Sequence, residues 1–107
     1  MKIINCCDHN VEICDRQGNI IKIYEPSGNW ARVDHDIVIE HIDGVPCKVR
    51  KNHKIVGLPE PAEDTMYIVS NILMSACPDR KDLLSCGNQI RNRYGKPIGW
   101  TTFQRNE

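Results

Sequence analysis

From Lys2 to Phe103 the apolar residues recur mostly at every second position, in short runs broken by turn-forming types, which is the pattern of half-buried β-strands. Lys2 to Cys7 and Val11 to Cys14 are strand candidates separated by Asp8-His9-Asn10. Arg16-Gln17-Gly18-Asn19 turns the chain into Ile20 to Tyr24, and Glu25-Pro26-Ser27-Gly28 turns it again. Trp30 to Ile42 and Val45 to Ile55 alternate on either side of Asp43-Gly44, the strongest short hairpin signal a sequence offers. A two-residue loop there sets Lys51 opposite Asp36 and His53 opposite Asp34, both favourable cross-strand pairs. It also leaves Ile37 and Ile39 on the face opposite Val38, which implies either that both faces of that strand are covered or that the hairpin bends partway.

The pattern changes after Gly57-Leu58-Pro59-Glu60-Pro61, where two prolines forbid regular ladder and predict an extended crossing. That crossing delivers Met66 to Val69, a fully apolar run, into the centre of a sheet. The strand then feeds a short helix from Ser70, a good N-cap, to Cys77 before Pro78, with Ile72, Leu73, Ala76 and Cys77 on its packed side. Asp79 would cap a further helical turn through Leu83-Leu84. A last hairpin follows, Gln89 to Arg93 and Ile98 to Phe103 around Tyr94-Gly95-Lys96-Pro97. The expected fold is α+β: a single domain, residues 1–107, dominated by a twisted antiparallel sheet with one short helix packed on it.

Formal charge is zero, from 14 Lys+Arg and 14 Asp+Glu, which gives no general reason to bind nucleic acid or an anionic membrane. The distribution is uneven. Arg80, Lys81, Arg91, Arg93, Lys96 and Arg105 outweigh Asp82 and Glu107 at the C-terminal end, and residues 1–79 carry the compensating negative charge. No apolar run approaches the roughly 20 residues of a membrane span, and the N-terminus lacks a signal peptide's basic and apolar blocks. The expectation is a cytoplasmic protein whose six cysteines are reduced thiols rather than a disulfide framework.

Asn5, His9, Pro26-Ser27-Gly28, Ala31-Arg32-Val33, Ile42-Asp43-Gly44-Val45-Pro46, Gly57-Leu58-Pro59-Glu60-Pro61, Tyr67-Ile68-Val69-Ser70, Arg80 with Asp82-Leu83-Leu84, and Gly95 with Ile98-Gly99 together resemble a family of small uncharacterised bacterial and phage proteins. The resemblance runs through nearly the whole chain and implies no established reaction. The sequence departs from that pattern at Cys6-Cys7-Asp8, where Thr-Pro usually precedes the histidine, and at Ser85-Cys86-Gly87, where Pro-Gly is usual.

Candidate chemistry follows from residue types. Cys6, Cys7, His9 and Cys14 are the types that hold zinc, but adjacent cysteines on a strand point to opposite faces and no second knuckle follows, so no metal is expected. Ser70 stands at a strand-to-helix turn without the glycines of a nucleophile elbow, which makes it a cap before a nucleophile. A helix start at Ser70 and Asn71, with Arg80 beside Asp82, and with Arg91, Arg32 and His9, forms the candidate ligand-binding set for an anionic, nucleotide-like molecule. No cofactor is expected. The first functional expectation is a non-enzymatic phage or mobile-element binding protein, a counter-defence protein that sequesters a nucleotide-derived signal or blocks a host defence protein. Strand edges and small size also imply a homo-oligomer. The alternatives are a small hydrolase or nucleotide-processing enzyme using a His with Ser or Asp, and a subunit that completes a partner's sheet.

Overall fold

The computed structural model describes residues 1–107. In chain order the elements are β1 (Lys2–Asn5), β2 (Val11–Cys14), β3 (Ile20–Tyr24), β4 (Arg32–Ile42), β5 (Val45–Val56), β6 (Thr65–Ile68), α1 (Asn71–Ala76), β7 (Leu83–Cys86), β8 (Gln89–Arg91), β9 (Pro97–Trp100) and β10 (Phe103–Gln104). The α+β class and the single short helix are as the pattern implies.

Two four-stranded sheets form the body, with orders β1-β6-β7-β10 and β3-β2-β9-β8. In the first, β6 is interior and runs parallel to both β1 and β7, while β10 closes the edge antiparallel to β7. The second is antiparallel except where β2 meets β9. A strand covered on both faces carries a continuous apolar run, and β6 does so from Met66 onward. Ile68 points with Leu84 of β7 to one side, where Val11 and Ile13 of β2 complete a buried cluster between the sheets. Tyr67, Val69 and Leu83 point to the other side, where they pack with Leu73 and Met74 of α1, Cys6 and Ala31. The body is therefore layered: helix, mixed sheet, second sheet.

Two local expectations are corrected. Leu83-Leu84 is the start of strand β7 rather than a helical turn, because pairing with β6 buries both side chains, one on each face. The packed side of α1 is Leu73 and Met74, with Cys77 beyond them, and Ile72 faces water. A helix of six residues is held by the sheet beneath it and not by its own periodicity.

Strands β4 and β5 pair only with each other. They form a ribbon whose root packs at Val33 against the helix-side cluster and whose remainder projects. The radius of gyration is 16.8 Å, against about 13 Å for a compact chain of this length, and the projecting arm accounts for the excess. Its tip, Asp43-Gly44, has positive φ at both positions (51° and 75°), as a two-residue turn of primed type requires. At the root, Gly57 at φ +80° lets the Trp30 carbonyl come so close that a Cβ would collide with it. Lys51 pairs with Asp36 as expected, but Asp34 pairs with Lys54 and not with His53. A bulge centred on Asn52, which takes φ 57° and donates to Asp36 Oδ2 at 2.9 Å, inserts an extra residue in β5.

Candidate functional site: the projecting arm and two clefts

Each residue of the sequence-derived set is tied into the fold. Ser70 caps α1, its hydroxyl accepting from the Leu73 N–H at 3.2 Å. Asn71 accepts from Gln104 Nε2 at 2.7 Å. Arg80 forks onto Asp82 through Nε and an Nη, both at 2.8 Å, and donates to the Pro59 carbonyl at 3.0 Å. That fork holds the Asp82 carboxyl below the usual carboxylate range and raises the guanidinium. Arg91 donates to the Gly95 carbonyl of its own hairpin turn. Arg32 lies over the Trp30 ring at 4.8 Å and pairs with Asp34 at 3.3 Å.

These residues do not converge. Ser70 follows the C-terminal end of β6, whereas Asp82 precedes β7, which runs parallel to β6 with Tyr67 beside Leu83. In that register Asp82 is level with Met66 and Ser70 with Cys86, roughly 13 Å apart along the strands. The crossover helix starts at one end of the sheet and returns the chain to the other, so an anion at the Ser70 cap would not meet Arg80.

Asn5 organises more of the surface than any residue of that set. It is buried, its amide donates to the carbonyls of His9 and Tyr24 at 2.9 Å each, and its Oδ1 accepts from the Cys7 N–H at 2.9 Å. Its own carbonyl accepts from Ser27 N and Oγ. Asn5 and Pro26-Ser27-Gly28 thus form one connected turn. Beside it the thiols are protonated: burial, then Cys86, Cys6 and Asp8, push Cys7 up to about 11, and burial also raises Cys6 and Cys86.

Two clefts open on the surface. One, about 240 Å³, is lined by His9, Asn10, Glu12, Gln89, Trp100 and the Pro97-Ile98-Gly99 stretch. His9 is the one member of the sequence-derived set that lines it, and its Nδ1 sits 2.9 Å from the Asn10 carbonyl. The other, about 300 Å³, lies at the arm's bulge among Asp34, His35, Asp36, Asn52 and Lys54.

The arm carries an exposed apolar surface that the fold does not explain. Ile37 (54% exposed), Ile39 (51%), Ile42 (62%) and Val45 (62%) stand in water, with Val38 and Ile55 also exposed. Cross-strand partners share a face, so the register sorts the arm into two sides. One carries Asp34/Lys54, Asp36/Lys51, Val38/Val49, Glu40/Cys47 and Ile42/Val45; the other carries Val33/Ile55, His35/His53, Ile37/Arg50, Ile39/Lys48 and His41/Pro46. The 3.9 Å approach of Lys51 to Glu40 lies on the first side, and the His35 and His53 rings, 5.8 Å apart, lie on the second. The bulge moves Ile55 from the side of Val49 to that of Ile37. Charges segregate with the strands beyond the root: apart from Arg32, which starts β4 and pairs with Asp34, the first side has its acids on β4 and its bases on β5, while the second side has bases and histidines but no acid.

Comparison with protein-family models, with curated proteins and with solved structures found no match. No helix is long and apolar enough to cross a membrane.

Proposed function

We propose that this chain is a non-enzymatic binding protein that acts by occupying a partner protein, and that the partner docks on the cationic side of the arm. The carrying observation is Ile37 and Ile39 exposed between Lys48, Arg50 and the three arm histidines, on a ribbon that projects beyond its packed root at Val33. A two-stranded ribbon is at best marginally stable alone, and exposed apolar residues rimmed by charge mark interaction surfaces. The complementary partner surface is apolar with an acidic rim. The family resemblance points to phage and mobile elements, which makes a host defence protein the partner class and the host cytoplasm the place of action.

The nucleotide-sequestering version has less support, because Arg80, Arg91 and Arg32 already engage partners within the chain. The hydrolase alternative keeps one foothold, His9 and Glu12 in a common cleft.

The test isolates the untagged protein from its host, identifies any stoichiometric partner by native mass spectrometry, and titrates that partner in pure form. Lys48→Glu with Arg50→Glu is expected to weaken binding at least tenfold, with a marked salt dependence in the wild type. Undiminished affinity in that variant overturns the reading. So does turnover of a nucleotide by the pure protein that is lost in His9→Ala.

A further inference from the structure

We infer that the other side of the arm, Asp34 to Ile42 with Val45 to Lys54, is a self-complementary surface that pairs with the same side of a second copy of this chain. The argument is the charge order. Two ribbons stacked face to face by a two-fold axis along the ribbon place β4 of one copy over β5 of its partner. Asp36 then meets Lys51, Val38 meets Val49, and Ile42 meets Val45, each contact occurring twice, as an isologous interface requires. A two-fold axis across the strands would instead lay β4 on β4 and set Asp34, Asp36 and Glu40 against their own kind. Like charges thus exclude that arrangement and leave one register.

The opposite side has no such complementarity, because in the same arrangement Lys48 and Arg50 would lie over Ile39 and Ile37 of the second copy with no acid to meet them. On the self-complementary side the two acid–base rows lie toward the root, and Val38/Val49 and Ile42/Val45, with Glu40/Cys47 between them, lie toward the tip. Val33 on the opposite side packs against the body, which leaves the self-complementary side facing away from it. The paired side is roughly 30 Å by 10 Å, below the roughly 1,200 Å² total of permanent interfaces, so the dimer is reversible and concentration-dependent. In that dimer the two cationic sides face outward and present the proposed partner site twice. The inference adds a role for the arm's other side to the reading above and does not require it.

The test is a charge-swap mixing experiment on the full chain by sedimentation velocity and native mass spectrometry. Wild type is expected to shift from monomer to dimer as concentration rises from micromolar to millimolar. Asp36→Lys and Lys51→Asp, each alone, are expected to remain monomeric, since each homodimer sets like charges against each other. Mixed one to one they are expected to form a heterodimer, because the base introduced at position 36 of the first variant then meets the acid introduced at position 51 of the second, while the unchanged Lys51 of the first meets the unchanged Asp36 of the second. Damage within one arm is not repaired by mixing, so recovery reports pairing between copies. A wild type monomeric at millimolar concentration overturns the inference, as does a dimer that survives both single changes or a mixture that gives no heterodimer. A monomer that still binds its partner through Lys48 and Arg50 would refute the dimer and leave the proposed function standing.

Discussion

Replacing Arg80 by Ala separates a structural clamp from an anion-binding arginine. The guanidinium makes three charge-assisted hydrogen bonds, two to Asp82 and one to the Pro59 carbonyl, and so ties the proline-rich crossing to the entrance of β7. The two side chains are 23% and 19% exposed, so water reaches the pair only in part. Removing one partner of a fully buried pair costs about 3–5 kcal/mol. Partial access to water lowers the expected loss here to about 2–3 kcal/mol, a large share of the roughly 5–15 kcal/mol such a domain has. In urea, with a slope of about 1–3 kcal/mol per molar, the midpoint should fall by about 1 M or more. Arg80→Lys keeps the charge and loses the fork, and should fall between. The pH dependence has a definite sign. Asp82 has its pKa depressed in the folded state, so its contribution is fully present above its unfolded value of about 3.9 and is lost as pH falls through the lower folded value. The gap between wild type and Arg80→Ala should stay constant from neutrality to about pH 4 and close below it. A midpoint shift equivalent to less than about 0.5 kcal/mol, or a gap indifferent to acid, would refute the clamp.

Asn5→Ala strips three hydrogen bonds that a buried side chain makes to partly buried backbone groups and should lower stability by about 1–3 kcal/mol in a thermal or urea melt. Gly57→Ala introduces both a positive-φ penalty and a collision with the Trp30 carbonyl, and should destabilise by at least about 1–2 kcal/mol while disordering the arm's root in an amide spectrum. Ser85→Ala should be neutral or stabilising by up to about 1 kcal/mol, because its buried hydroxyl has no partner. Cys7, pushed up to about 11 chiefly by burial, should resist iodoacetamide at pH 8, and labelling followed by mass spectrometry checks this.

The alternation of β4 and β5, the Asp43-Gly44 turn and the Ser70 cap were legible because each rests on nearest neighbours in sequence. Leu83-Leu84 was not, since a short apolar run is the same whether it ends a helix or fills a strand covered on both faces. Only its parallel partner β6, set by the crossover, decides the matter. Asn52 did carry a signal, being a residue type that tolerates the left-handed region, but nothing in a uniform alternation announces where the ladder slips. The slip reassigned His53 and moved Ile55 to the other face. The candidate site failed to assemble for a related reason. Arg80 shows its Asp82 partner two residues away, yet its second acceptor, Pro59, lies 21 positions upstream, and composition alone cannot distinguish an occupied donor from a free one.

The resulting molecule divides its sequence between two tasks with different physics. The body buries apolar residues in two clusters on either side of β6, although Ile20, Ile21, Ile23 and Ile72 stay exposed, and its prominent polar residues, Asn5, Ser70, Arg80 and Asp82, serve to close turns and caps. The arm beyond its root has no buried cluster, leaving Ile37, Val38, Ile39, Ile42 and Val45 in water, and burying half-exposed side chains of this kind is worth roughly 1 kcal/mol each. Folding the chain alone never recovers that free energy. It becomes available only on association, where it must offset an ordering cost of about 4–15 kcal/mol. One side of a single arm falls short of that cost, whereas the same side contributed by two copies approaches it. The segregation of acids on β4 from bases on β5 would serve no purpose within the hairpin beyond pairing each strand with its neighbour, which alternating signs would achieve equally well. Beyond Arg32, that segregation is what makes the side complementary to its own copy, and the opposite side, which has Lys48 and Arg50 but no acid, is kept free for something acidic.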